Sequence, residues 1–427
     1  MLKLVKYNPN NPKEFVIKKS PNNKIEKSVQ KIIDNVRRFG DKAVLSYAKE
    51  FDGFNSRNIK VKNEEIESAL NTVDKNILHI FKRSKMQIEE FHKRQIENSY
   101  SIYKENGVIM GQIIRPLERV AIYVPGGLAA YPSTVLMNAI PAKLAGVRDV
   151  VMFTPVKSDE KVEDFILAAA AVCGITEVYK IGGVQAVAAA AHGTRSIPKV
   201  DKIVGPGNVY VTTAKKLLFG VVDIDMIAGP SEVLIVADSS AKPEYIAADL
   251  LSQAEHDKMS RGILVTTNLS LYKKVEKELE LQLSKLKRKK IAKNALESNG
   301  ICVIAKSIND IFAISNLIAP EHLEIMTKNP LEMLTKVKNA GTVFLGHNSP
   351  EVLGDYTGGT NHVLPTAGTA RFASPLGVYD FVKRTSYNYY PKNVLLEFKE
   401  DVTSFALLEG LDAHAVAANI RFKRSYK

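Results

Sequence analysis

Cysteine is nearly absent: the 427-residue chain carries two, Cys173 and Cys302. So few exclude a disulfide framework and a thiolate zinc site of the CxxC kind. Cys173 follows the apolar run Ala168–Val172, and Cys302 lies between Ile301 and Val303. Both read as core rather than as nucleophiles, because a reactive thiolate needs an accessible, electropositive setting. Long apolar runs are missing too. The longest, from Phe165 to Cys173, is about half of the ~20 residues that a membrane span requires. The stretch from Met1 to Phe15 is polar and has no apolar centre of a signal peptide. The expectation from these absences is a cytoplasmic, soluble protein without a membrane partner. There is no repeat at solenoid spacing, no low-complexity tract, no G-x-G-x-x-G and no Walker motif.

What is present is ample core. The chain is 45% hydrophobic and 25% charged, a globular composition, and its length suits roughly two to four domains. Lys and Arg total 59 against 46 Asp and Glu, a net charge of +13. The lysines are scattered. Their densest run, Lys285, Lys287, Arg288, Lys289 and Lys290, ends an amphipathic stretch that begins with Glu276, Glu278 and Glu280. Acid first and base last is how a solvated helix complements its own dipole, so no nucleic-acid partner is expected.

Residues 24–100 read mostly as helix, with Val29, Ile32, Ile33 and Val36 at helical spacing, as are Ile66, Leu70 and Val73. From residue 119 short β-rich runs (Val120–Val124, Val150–Thr154, Val178–Ile181, Ile203–Val204) alternate with Ala-rich helical stretches such as Val184–Ala191. A second series follows: Val233–Ala237, Ile263–Thr267, Ile301–Ala305 and Thr342–Leu345. This alternation predicts an α/β protein with two parallel-sheet units. The expected organisation is a helical segment over 1–118, α/β domains over 119–229 and 230–375, and a C-terminal extension over 376–427. That extension holds a Tyr-rich polar piece and a short helix near Ala413–Arg421, too little to fold alone.

Four polar clusters in the second half could carry chemistry. Gln253 and His256 lie three apart, so on a helix they share a side and could hold a metal ion through oxygen and imidazole; taken alone, the segment reads more simply as a polar helix end with a hydrogen-bonded His. Pro320 suits a first helical turn, which would place Glu321 and His322 near the helix's positive end. There they form either an acid–base pair or an ordinary acidic first turn. Asp355 opens a glycine-rich stretch that closes on His362, a loop able to approach a ligand closely. Glu409 and His414 lie in the tail, where a surface His is the plain alternative. Three glycine-bearing loops, Tyr123–Gly127, Gly182–Gln185 and Gly205–Asn208, follow predicted strands, where α/β sheets place ligands.

The stretches IVGPGNVYVTTAKK, AGPSEVLIVAD, SQAEHD, APEHLE, GDYTGGTNHVLPT and EGLDAH together resemble histidinol dehydrogenase, in order and over nearly the whole chain. The resemblance implies two incomplete Rossmann-like domains and NAD-dependent, four-electron oxidation of L-histidinol to L-histidine through the aldehyde. A related hydroxyalkyl alcohol is the alternative substrate. It implies zinc held by Gln253, His256, Asp355 and His414, anchoring the substrate. Glu321 and His322 become the acid–base pair. Ser231, His362 and Glu409 would contact substrate together with Gln253, His256, His322, Asp355 and His414, and Tyr123, Gln185 and Asn208 would contact NAD. It also implies a homodimer in which Glu409 and His414 complete the partner's site.

Overall fold

The two series of β-rich runs become two parallel sheets. The structure is a computed structural model that describes residues 1–8, 23–126, 131–156 and 160–422. In chain order its strands are β1 (Lys3–Lys6), β2 (Tyr100–Tyr103), β3 (Ile109–Pro116), β4 (Arg119–Tyr123), β5 (Asp149–Phe153), β6 (Glu177–Tyr179), β7 (Lys202–Val204), β8 (Asp223–Ile224), β9 (Glu232–Ala237), β10 (Arg261–Thr266), β11 (Ile301–Ile304), β12 (His322–Met326), β13 (Thr342–Leu345) and β14 (Val382–Tyr389). One parallel sheet runs β6-β5-β4-β7-β8 and the other β1-β11-β10-β9-β12-β13. Their central strands are buried on both faces, as β9 is along its whole length, which is why they read as unbroken apolar runs.

Chain contacts divide the protein into two compact units: Met1–Gln95 with Leu117–Phe381, and Ile96–Pro116 with Val382–Lys427. The first holds both parallel sheets and the helices Asn23–Phe39, Asp41–Asp52, Asn63–Thr72 and Lys75–His92. In the first of these helices Val29, Ile32, Ile33 and Val36 are buried as their spacing predicts. In the third, Ala69 takes the buried position and Leu70 stands exposed. The second unit is an antiparallel sheet, β14-β3-β2, with the helices Lys392–Leu408 and Asp412–Asn419.

Several elements differ from the sequence reading. The polar amino terminus is not helical: β1 extends the second sheet alongside β11, and the Leu2 N–H donates to Glu276 Oε1 at 2.9 Å. Parallel pairing with a distant strand leaves no local periodicity to read. The basic run does not end a helix. The helix Leu269–Leu283 stops, the chain turns so that Leu286 packs on the same core as Leu283, and Lys289 and Lys290 open the next helix, Lys289–Asn299. The C-terminal piece is also richer than expected, since β14 and the 17-residue helix Lys392–Leu408 precede the short helix.

Candidate active site

The first unit encloses a cavity of about 400 Å³ whose walls come from both sheets. The loops after β4 and β7 supply Pro125, Gly126, Gly205, Pro206 and Gly207; Ser231, Gln253, His256, Glu321, His322, Asp355 and His362 face them. The first sheet therefore meets the cavity with the carboxyl ends of its strands. The second meets it with the amino ends, because Ser231 and Glu321 immediately precede β9 and β12 and His322 opens β12.

Pro320 does not start a helix. The preceding helix, Ile308–Ile318, is closed by Ala319 in the left-handed region (φ 52°), and the Pro320 and Glu321 carbonyls accept from the Gly341 and Thr342 N–H at 2.8 and 2.9 Å. That pairing draws the segment into the sheet. A rigid strand end thus holds the acid–base pair where a helical turn was expected.

Glu321 Oε2 accepts from the Glu232 N–H at 2.8 Å, and the carboxyl and imidazole groups lie 3.9 Å apart. Burial pushes the Glu321 carboxyl well above the usual carboxylate range, reinforced by the charges of Glu232, Asp355 and Glu351. His322 Nδ1 lies 3.2 Å from the Glu232 carbonyl oxygen. A carbonyl can only accept, so the proton sits on Nδ1 and Nε2 keeps its lone pair. Burial pushes His322 down to about 4, so it is neutral and able to take a proton at physiological pH. His362 has the same arrangement: Nδ1 donates to the Asp355 carbonyl at 3.1 Å, and burial lowers it to about 4.

The helix Pro243–Ala254 ends two residues before His256. Gln253 and His256 therefore do not share a helical face. The turn that follows, with the His256 N–H donating to the Gln253 carbonyl at 3.3 Å, brings both to the cavity instead. Gln253 is 1% exposed, and its Oε1 has no hydrogen-bond partner among the described residues. A buried, unpaired amide oxygen costs free energy unless something binds it. Asp355, on the helix Val352–Tyr356, is raised to about 6 by burial. Glu351 escaped the sequence reading: it is fully buried and raised to about 8 by burial and by Asp355. Its carboxylate, that of Asp355 and the His322 ring have ligand atoms within 4.8 Å of one another. The signal was there in its position, one helical turn before Asp355.

The profile of the histidinol dehydrogenase family matches residues 17–422. The histidinol dehydrogenase of Lactococcus lactis is 58% identical over 93% of both chains, and that of Clostridium acetobutylicum 52% identical over 94% of this chain and 93% of its own. The chain belongs to the histidinol dehydrogenase family. A crystal structure of histidinol dehydrogenase from Elizabethkingia anophelis has the same fold, with a TM-score of 0.93 at 38% identity over 98% of both chains. Like the family's other members, the protein is an oxidoreductase.

The remaining residues singled out by the resemblance to histidinol dehydrogenase fall in four places. Tyr123 ends β4, buried, its hydroxyl accepting the Gly183 N–H at 2.9 Å; burial raises it to about 12. Gln185 is fully buried in the helix Gly183–His192, and exposed Asn208 caps the helix Val209–Leu218 by accepting from the Tyr210 and Val211 N–H at 3.0 and 3.1 Å. Gly127 lies outside the described residues. Glu409 and His414 belong to the second unit and are exposed there. Both cysteines are buried, and burial pushes each thiol up to about 12, which suits their reading as core.

Proposed function

We propose that the protein catalyses the NAD-dependent oxidation of L-histidinol to L-histidine through L-histidinaldehyde, the closing reaction of histidine biosynthesis. The observation that carries this is the buried pair at the mouth of β12: a neutral imidazole with a free Nε2 beside a carboxyl group held above its usual range. The donor set also suits a zinc ion. Gln253 leaves a buried oxygen unpaired, and His256 and Asp355 line the same cavity, so oxygen and nitrogen donors of the type zinc accepts are gathered in one place. His414 is the expected fourth ligand, supplied with Glu409 by the partner in a homodimer. The glycine-bearing loops after β4 and β7 face this pair across the cavity, and they suit a dinucleotide with Tyr123, Gln185 and Asn208. When bound, NAD accepts the hydride of each oxidation, and zinc fixes the substrate's imidazole and amino nitrogens.

The chain's own residues supply the proton chemistry. His322 Nε2 takes the hydroxyl proton of the alcohol as its C–H bond breaks. Glu321, whose ionised form a zinc cation in the same cavity would favour, takes a proton from water as that water adds to the aldehyde carbon, while His322 returns its proton to the aldehyde oxygen, forming the hydrate. His322, neutral again, then accepts one hydroxyl proton of the hydrate as the second C–H bond breaks, and the remaining hydroxyl proton passes to solvent, leaving the carboxylate. Ser231 and His362 hold the substrate, and no thiol takes part. The test is product analysis by the purified protein with L-histidinol and NAD. L-Histidine that disappears on treatment with a chelator and returns with zinc supports the reading. A folded, zinc-loaded protein that turns over only another hydroxyalkyl alcohol contradicts it.

A further inference from the structure

The loop after β7 is held by a device that the chemistry above does not use. Gly205 has φ +104°, and a Cβ there would stand 2.3 Å from the Tyr123 carbonyl oxygen, so the backbone crosses directly against the end of β4. Both polar backbone groups of this glycine are taken by buried side chains of opposite charge. Lys215 Nζ donates to the Gly205 carbonyl at 2.9 Å, and Asp225 Oδ2 accepts the Gly205 N–H at 2.7 Å. The other oxygen of Asp225 accepts the Met226 N–H at 2.6 Å and pairs with the Lys215 ammonium. The two side chains are 3% and 1% exposed.

A pair so deeply buried is weak as a source of stability, because desolvation offsets most of its attraction and an apolar pair of equal volume often serves as well. What an apolar pair cannot do is hold the N–H and C=O of one glycine and so fix its φ and ψ. Gly205, Pro206, Gly207, Asp225 and Met226 line the cavity shared with His322, and the loop runs straight into Asn208 and the helix it caps. We propose that Lys215 and Asp225 are positioning residues for dinucleotide binding: their ion pair sets the Gly205–Gly207 loop in the shape that receives NAD. The inference rests on the reading of this face as the NAD side.

The test uses the zinc-loaded full-length enzyme and K215M/D225N, which removes both charges and keeps an acceptor for the Gly205 N–H. Equilibrium titration with NADH, followed by its fluorescence, is expected to give a dissociation constant raised about tenfold or more. The KM for NAD should rise by a similar factor, with zinc content and histidinol affinity within about twofold of the unmodified enzyme. An unchanged NADH constant in the folded variant overturns the proposal, as does an equal loss of histidinol and NADH affinity. N208A, at the end of the same loop, separates the two readings. If it weakens NADH and the double variant does not, the positioning role alone falls. If neither weakens NADH, the reading of this face falls and takes the proposal with it. Should the double variant not fold, K215R keeps the charge with a wider head and is expected to raise the NADH constant severalfold; no change there also overturns the role.

Discussion

His322 and Glu321 divide the work because burial pushes their proton affinities in opposite directions. The imidazole is held neutral, at about 4, and the carboxyl is held above its usual range. In His322→Asn the alcohol step should slow by about 10²–10⁴, the usual weight of a general base, while calorimetry still finds histidinol bound with near-normal affinity; a matching loss of binding would contradict the role. In Glu321→Gln, stopped-flow should show aldehyde formed at nearly the normal rate and its oxidation slowed, whereas equal slowing of both steps would contradict the division. At this scale the sequence supplied residue types and order, and the family resemblance supplied roles. Glu351 was passed over although it stands one turn before Asp355, and the sequence was silent on the part played by Lys215, which acts through Gly205 and Asp225 on the far sides of a loop and a helix.

Strands were far more legible than their partners. The runs Val120–Val124, Val150–Thr154 and Val233–Ala237 appear as β4, β5 and β9 within a residue or two, because a doubly buried parallel strand must be apolar throughout. The strand β1 and the true context of Pro320 were not legible. Both depend on pairing with chain that is far away in sequence or across a turn, and Pro320 satisfies the local rule for a helix start equally well. The element that sets Glu321 is the junction with Gly341: a Cβ there would lie 2.5 Å from the Glu321 carbonyl oxygen. Gly341→Ala must shift that backbone, and a displacement near 1 Å can cost up to about 100-fold in rate. The expected outcome is kcat lowered at least tenfold in a protein whose circular dichroism is unchanged. Activity within twofold of normal would show that this strand pairing does not position the carboxyl.

For the whole molecule, burying so many carboxyl groups links stability to pH. Glu351 is raised to about 8 and Glu232 to about 7, and Glu321 and Glu324 lie well above the usual range. In the metal-free folded chain each holds a proton that the unfolded chain has released, so stability falls as pH rises toward the folded value. The buried histidines act in the opposite sense, but only below about pH 7, where the unfolded imidazole gains its proton. In chelator-treated protein the unfolding free energy from urea titration should therefore drop between pH 7 and 8, by up to about 1.4 kcal/mol per pH unit for each proton retained; a flat or rising value would contradict the burial of these protons. The expected exchange of Glu409 and His414 between subunits is a second property at this scale. A mixture of inactive His256→Ala and His414→Ala proteins should regain about a quarter of normal activity if each site draws on both chains, and none if each chain is self-sufficient.

The most direct test of the whole account is the stoichiometry of NADH formed per L-histidinol consumed by the unmodified, zinc-loaded enzyme. Two NADH for each histidinol would show that one site carries the substrate from alcohol through hydrate to carboxylate, as the Glu321–His322 pair requires. A value of one, with aldehyde released, would contradict the role of Glu321 in activating water, and a value of zero would contradict the proposed reaction itself.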